Sequence, residues 1–300
     1  MKSSLTYLDC TLCPRRCHVN RHIQTGSCGC SDTLRVARAA LHHWEEPCIS
    51  GTRGSGTVFF SGCTLGCCFC QNYHISSQGF GKDITTARLA DIFLELQDVG
   101  AHNINLVTAT QYLPSVLPAL DRVRHRLTIP VVYNCGGYES TDTLAALDGY
   151  VDIYLPDFKY FDNALAARYS RASDYFQKAS IAIAAMISQT GAPVFDDEGI
   201  MRKGVIIRHM VLPGCRKDSI HLLHWMKENL PEKMWLISLL SQFTPFYKSS
   251  EYPEINRRIT TFEYESVLEE AVALGLTEGF MQEKSSAKEE YTPPFNLEGV

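Results

Sequence analysis

Two hydrophobic periods alternate along most of this chain. Thr57-Val58-Phe59-Phe60-Ser61 is a short apolar run and predicts a buried strand. Over residues 85–99 the apolar positions Leu89, Ile92, Phe93, Leu96 and Val99 recur at helical spacing instead. The exchange repeats downstream. Residues 103–108, 130–134, 152–155, 204–212 and 234–240 predict further strands, with helical sequence at 113–126, 141–147, 164–188 and 219–229 between them. Pro114 suits the opening turn of the second helix, where its missing N–H is no loss. Strands alternating with helices build parallel βαβ units. Six such strands predict an α/β fold, a partial (β/α)6 TIM-like barrel whose working residues sit on loops after the strand ends.

Both ends depart from this rhythm. Residues 1–55 carry no strong period and run into Gly51-Thr52-Arg53-Gly54-Ser55-Gly56, read as a turn. They form a Cys-rich N-terminal extension, the barrel spans 56–248, and 249–300 holds one helical segment at 262–274 before a frayed polar end. Gly54-Ser55-Gly56 precedes a strand, the wrong order for a dinucleotide-binding loop.

Composition narrows the chemistry. The 300 residues are 45% hydrophobic and carry a net charge of −5, so no positive field invites nucleic acid. The longest apolar run, 181–187, falls well short of the roughly 18 residues of a membrane span. Residues 1–10 have no apolar signal core, which makes a cytoplasmic protein the expectation. In that compartment the 12 cysteines stay reduced and are available to metal rather than to disulfides.

Four cysteines crowd the loop after the first predicted strand: Cys63, Cys67, Cys68 and Cys70. Three of them, Cys63, Cys67 and Cys70, are spaced C-x3-C-x2-C. Three thiolates hold three irons of a 4Fe–4S cubane and leave the fourth open, whereas an electron-carrying cluster normally takes four. Zinc usually closes with four ligands from two paired motifs, so it is the weaker reading. With Phe69 just before the last cysteine, this loop resembles the signature of the radical S-adenosylmethionine superfamily. The resemblance implies that the methionyl group of S-adenosylmethionine chelates the open iron. It also implies reductive cleavage to methionine and a 5′-deoxyadenosyl radical under anaerobic conditions, with an electron donor such as flavodoxin or ferredoxin. Cys68, between two ligands, is expected to point away.

The similarity continues along the barrel and is nearest to the activating enzymes of glycyl radical enzymes, pyruvate formate-lyase activating enzyme among them. Cys70-Gln71-Asn72, Tyr133-Asn134-Cys135-Gly136-Gly137, Leu155-Pro156-Asp157-Phe158-Lys159 and the strand 205–212 with Arg208 carry it. It implies cofactor contacts from Phe69, Asn134, Asp157 and Arg208, and a monovalent cation beside Asp157. Asn134 stands where the family has aspartate, and Thr108-Ala109-Thr110-Gln111 replaces a Gly-Gly-Glu turn. Backbone acceptors at Thr108 and Ala109 survive that exchange. The implied activity is hydrogen abstraction from a protein substrate, a glycyl radical enzyme. Modification of a small molecule or another protein is the alternative, and a non-catalytic Fe–S carrier or regulatory module is a third reading.

Cys10, Cys13, Cys17 and Cys28 form a second group, C-x2-C-x3-C-x10-C. Four thiols suffice for zinc or a second cluster. The bland alternative is four buried reduced thiols.

Overall fold

The computed structural model describes residues 5–282 and 292–300. Ten strands make one sheet: β1 (Arg35–His42), β2 (Ser55–Phe60), β3 (Lys82–Asp83), β4 (Ile104–Val107), β5 (Val131–Cys135), β6 (Ile153–Pro156), β7 (Val194–Phe195), β8 (Met201–Met210), β9 (Leu236–Leu240) and β10 (Gly279–Met281). Their order is β10-β9-β8-β6-β5-β4-β2-β1-β3, with β7 paired to β8 alone. From β2 to β10 every neighbour along that path is parallel, so these strands end on the same side. Fully buried strands such as β2, β4 and β5 have apolar contacts on both faces, which is why they read as runs rather than alternations.

Helices α1 (Pro47–Ser50), α2 (Tyr73–Ser76), α3 (Thr86–Asp98), α4 (Leu113–Val123), α5 (Thr141–Leu147), α6 (Asn163–Ser170), α7 (Tyr175–Thr190), α8 (Arg216–Asn229) and α9 (Thr261–Ala273) complete the fold. The six predicted strands appear as β2, β4, β5, β6, β8 and β9, and the barrel-like α/β architecture stands. Helix α9 is fixed by a capping box, in which Thr260 and Glu263 satisfy each other's backbone N–H groups.

Four features differ from the sequence reading. Ser55 and Gly56 open β2 rather than closing a turn; a side chain on Gly56 would meet the Asn103 carbonyl at 2.7 Å. The stretch read as one helix over 164–188 is two, broken at Arg171, which adopts the left-handed conformation with φ 54°. Within the first 55 residues β1 lies antiparallel between β2 and the two-residue β3, and its Arg and His residues hide its apolar period. In the tail, β10 adds a seventh parallel strand too short to show a period. The predicted frayed end falls partly on residues 283–291, outside those described.

Candidate active site

Each parallel strand, or for β6 the residues that follow it, lines one large cavity of about 820 Å³. That lies within the roughly 300–1,000 Å³ of small-molecule and cofactor sites. At its rim the loop after β2 contributes Cys63, Cys67, Phe69 and Cys70, while the buried Cys68 is outside the lining. The loop is held from behind. The Gly66 and Cys68 amides donate to the Ser170 and Tyr169 carbonyls at 3.3 and 2.8 Å, using carbonyls freed by the break between α6 and α7. Gln111, at the position of the resembling family's glutamate, donates Nε2 to the Ser61 and Gly62 carbonyls at 3.0 and 3.1 Å. The glutamine thus positions the start of the cysteine loop.

The sulfurs themselves face polar groups: Ser170 Oγ lies 2.9 Å from Cys67 Sγ and Ser76 Oγ 3.2 Å from Cys70 Sγ. Desolvation, reinforced by Cys67, pushes the Cys70 thiol up to about 11, and burial raises Cys63 further. A metal reverses that preference by binding thiolates. Three sulfurs on one loop, all facing the cavity with Lys159 electrostatically close, form a donor set that fits a 4Fe–4S cluster. Among the described residues no three His, Cys, Asp or Glu side chains gather around a single ion. A cubane spreads its thiolates over separate irons and asks for no such convergence.

Deeper in the cavity the charged groups form one network. Arg208 Nε donates to Asp157 Oδ1 at 3.0 Å, and Lys159 Nζ meets Asp157 Oδ2 at 2.6 Å. Arg208 also donates to Asn134 Oδ1 at 2.5 Å and to Glu45 Oε2 at 3.2 Å. Desolvation works against the Asp157 carboxylate, but Lys159 and Arg208 outweigh it and hold its pKa below the ordinary aspartate range. Thr108 lines the cavity with a positive φ of 58°, a conformation glycine would adopt freely. Ala109 is fully buried and lies outside the lining. Five of the six expected cofactor-contact residues therefore meet in one place: Phe69, Thr108, Asn134, Asp157 and Arg208.

The sequence reading missed Glu45, Glu46 and, as a site residue, Lys159. Glu45 arrives from the segment after β1 and accepts from Asn105 and Asn134 at 3.1 and 3.2 Å. Two adjacent acids held by a following proline, Trp44-Glu45-Glu46-Pro47, were the available signal.

The second cysteine group shares one small pocket, with no three of its thiols converged on a single point. Cys10, Cys13, Cys17 and Cys28 surround a pocket of only about 10 Å³ beside Arg21. Arg21 is 1% exposed, lies between the rings of Tyr7 and Tyr112 and donates to the carbonyls of Cys30, Ser31 and Gln111. The hydrogen bond from Cys30 comes first in lowering the Cys28 thiol to about 6; desolvation opposes it and Arg21 adds to it.

Comparison with known proteins identifies the family. The model of the radical SAM superfamily matches residues 57–223. The uncharacterised protein MJ0674 of Methanocaldococcus jannaschii is 33% identical over 275 residues, 88% of this chain and 74% of its own. The crystal structure of Streptococcus suis SuiB bound to S-adenosylmethionine superposes with a TM-score of 0.50 at 13% identity, over 74% of this chain and 48% of SuiB. The chain thus spans about half the length of SuiB, and that likeness is one of fold. No helix among the described residues is long and apolar enough to cross a membrane.

Proposed function

The chain belongs to the radical S-adenosylmethionine superfamily, and on that premise we propose how its cavity works. Membership implies a 4Fe–4S cluster and S-adenosylmethionine as cofactors. When bound, the cluster supplies the electron that splits S-adenosylmethionine into methionine and a 5′-deoxyadenosyl radical. Cys63, Cys67 and Cys70 hold the cluster. Asp157 and Arg208, with Lys159, grip the charged methionine part; a guanidinium and a carboxylate together satisfy a zwitterion. Phe69, packed on Phe243 with ring centroids 5.7 Å apart, walls the cavity beside the cluster and excludes water.

The observation that carries this reading is the meeting of three cavity-facing sulfurs with the Asp157–Arg208–Lys159 network in one cavity. Its test is 5′-deoxyadenosine formation by the anaerobically reconstituted, dithionite-reduced protein without added substrate. Product from the wild type is expected; none from a protein with its full complement of iron overturns the reading.

Hydrogen abstraction from a backbone glycine of a partner protein is the finer reading, supported by the activating-enzyme-like turns. A glycyl radical signal appearing in a partner glycyl radical enzyme on incubation tests it. A cation-bearing small molecule is the second reading, favoured by the carboxylates at the far end of the cavity. The Cys10–Cys28 group is read as a closed structural metal site. Its support is the placement of the four thiols around one small pocket beside the buried Arg21.

A further inference from the structure

The segment after β1 enters the barrel from the end opposite the cysteine loop. His42, the last residue of β1, pairs with Ser55, the first of β2, at the foot of the parallel strands. Glu45 and Glu46 follow at once and turn inward to line the cavity. Glu45 meets Asn105, near the start of β4, whereas Thr108 follows the end of that strand. At about 3.3 Å per strand residue, the two levels stand on the order of 10 Å apart. Glu45 also bonds Asn134 and Arg208, so the acids lie directly beneath the network expected to grip the cofactor, on its side away from the cysteine loop.

At that depth acidic groups outnumber basic ones. Glu45, Glu46 and Asp157 face two cations, Arg208 and Lys159, and desolvation raises the pKa of Glu45 and Glu46, a cost that a further cation would offset. The Glu45 oxygens are engaged by Asn105, Asn134 and Arg208, and those of Asp157 by Arg208 and Lys159. Glu46 is 7% exposed, and its Oε2 has no hydrogen-bond partner. Its backbone is already committed: the Glu46 carbonyl accepts from Ile49 and Ser50 at 2.8 and 3.0 Å, and Pro47 follows to open α1. His42 brings no charge to offset the acids, since burial and then Arg38 lower its pKa to about 4. A buried carboxylate oxygen with nothing to bind is costly, and a cationic hydrogen-bond donor removes that cost.

We propose that Glu46, with Glu45 beside it, is a subsite for the ammonium or guanidinium group of the substrate, anchoring it by one end while the rest reaches up to the cofactor. This rests on the radical S-adenosylmethionine reading of the cavity. Glu46 is a positioning residue, not a catalytic one: it touches the end of the substrate remote from the reacting carbon. Binding energy from such a remote contact serves to orient the reacting part.

The test is calorimetric titration of the reconstituted holoprotein with pentylammonium chloride and, as its neutral counterpart, pentanol. The ammonium is expected to bind about tenfold more tightly or better, as one charge-assisted hydrogen bond supplies. Glu46→Gln should erase most of that preference, and saturating S-adenosylmethionine should leave it in place. Equal affinity for the two probes overturns the proposal, as does an undiminished preference in Glu46→Gln. Displacement of pentylammonium by S-adenosylmethionine overturns it by assigning the carboxylate to the cofactor. Displacement by potassium chloride at equal concentration overturns it in favour of an inorganic cation. Should Glu46→Gln not fold, Glu46→Asp keeps the charge and shortens its reach, and an unchanged preference there is equally contrary. Cofactor cleavage is measured on the same preparation; cleavage without the ammonium preference removes the subsite alone and leaves the proposed function standing.

Discussion

The two cysteine groups look alike as spacing and end in opposite surroundings. Cys63, Cys67 and Cys70 face a cavity of about 820 Å³ lined by Asp157, Lys159 and Arg208. Cys10, Cys13, Cys17 and Cys28 enclose about 10 Å³, filled out by the buried Arg21. One group opens onto a space of cofactor size and the other onto almost none. The number of thiols does not decide between chemistry and structure; the space in front of them does.

The largest expected effect separates the groups outright. Replacing Cys63, Cys67 and Cys70 with Ala should abolish cofactor cleavage and remove the cluster iron, while metal bound at the Cys10–Cys28 group stays in the protein. Metal analysis of that variant reads both at once. A metal-free variant with an ordered amino terminus would instead favour plain buried thiols there.

Next come Asp157→Asn and Arg208→Lys, which should weaken S-adenosylmethionine binding with iron content intact. Losing a charge-assisted hydrogen bond costs roughly 1.5–3 kcal/mol, about 10- to 150-fold in affinity. A lysine cannot reproduce the planar fork by which Arg208 meets Asp157, Asn134 and Glu45. Titration beside a thermal melt distinguishes this from a rim pair that only stabilises the fold, for which affinity would hold and the melting temperature fall.

Arg21→Met tests the closed region in the opposite sense. It strands the carbonyls of Cys30, Ser31 and Gln111 inside the protein, so the melting temperature should drop by several degrees. Cleavage per folded molecule should hold. Lost cleavage in the folded fraction would mean that the two regions are coupled.

Much of this was legible in advance, and the misses have physical causes. Buried parallel strands announce themselves as apolar runs, so β2, β4, β5, β6, β8 and β9 could be placed from the sequence. The cysteine loop could be picked out by its spacing, and Asp157 and Arg208 by the resemblance to the activating enzymes of glycyl radical enzymes. Strand β1 was hidden because Arg35, Arg38 and His42 interrupt its apolar positions and leave no clean period. Glu45 and Glu46 were hidden for another reason. They serve a site made by β4, β5, β6 and β8 from a segment that precedes all four, and no local pattern records such a long-range insertion.

A smaller effect concerns the wall between the two regions. Glu139 is 3% exposed, accepts from Thr110 Oγ1 at 2.9 Å and Tyr133 at 3.3 Å, and acts electrostatically on Cys13. Desolvation raises its pKa from 4.5 to about 8. Across that window the folded protein binds the proton and the unfolded chain does not, so this carboxyl's stabilising contribution is full below pH 4.5 and lost as pH rises towards 8. Glu139→Gln should flatten that part of the stability-versus-pH curve, measured by denaturant unfolding. A curve of unchanged slope would mean that Glu139 ionises freely.

Smallest of all should be Cys68→Ala. Its side chain lies outside the cavity lining, so iron content and cleavage should match the wild type. A loss of iron there would place Cys68 among the ligands.

The central claim is that the cavity-facing group leaves one iron open for the cofactor. Electron paramagnetic resonance of the reduced, reconstituted protein, recorded before and after adding S-adenosylmethionine, tests it most directly. A cluster signal that changes on addition, and is absent when Cys63, Cys67 and Cys70 are all Ala, is the predicted result. A signal indifferent to S-adenosylmethionine, or one that survives the triple replacement, would contradict it.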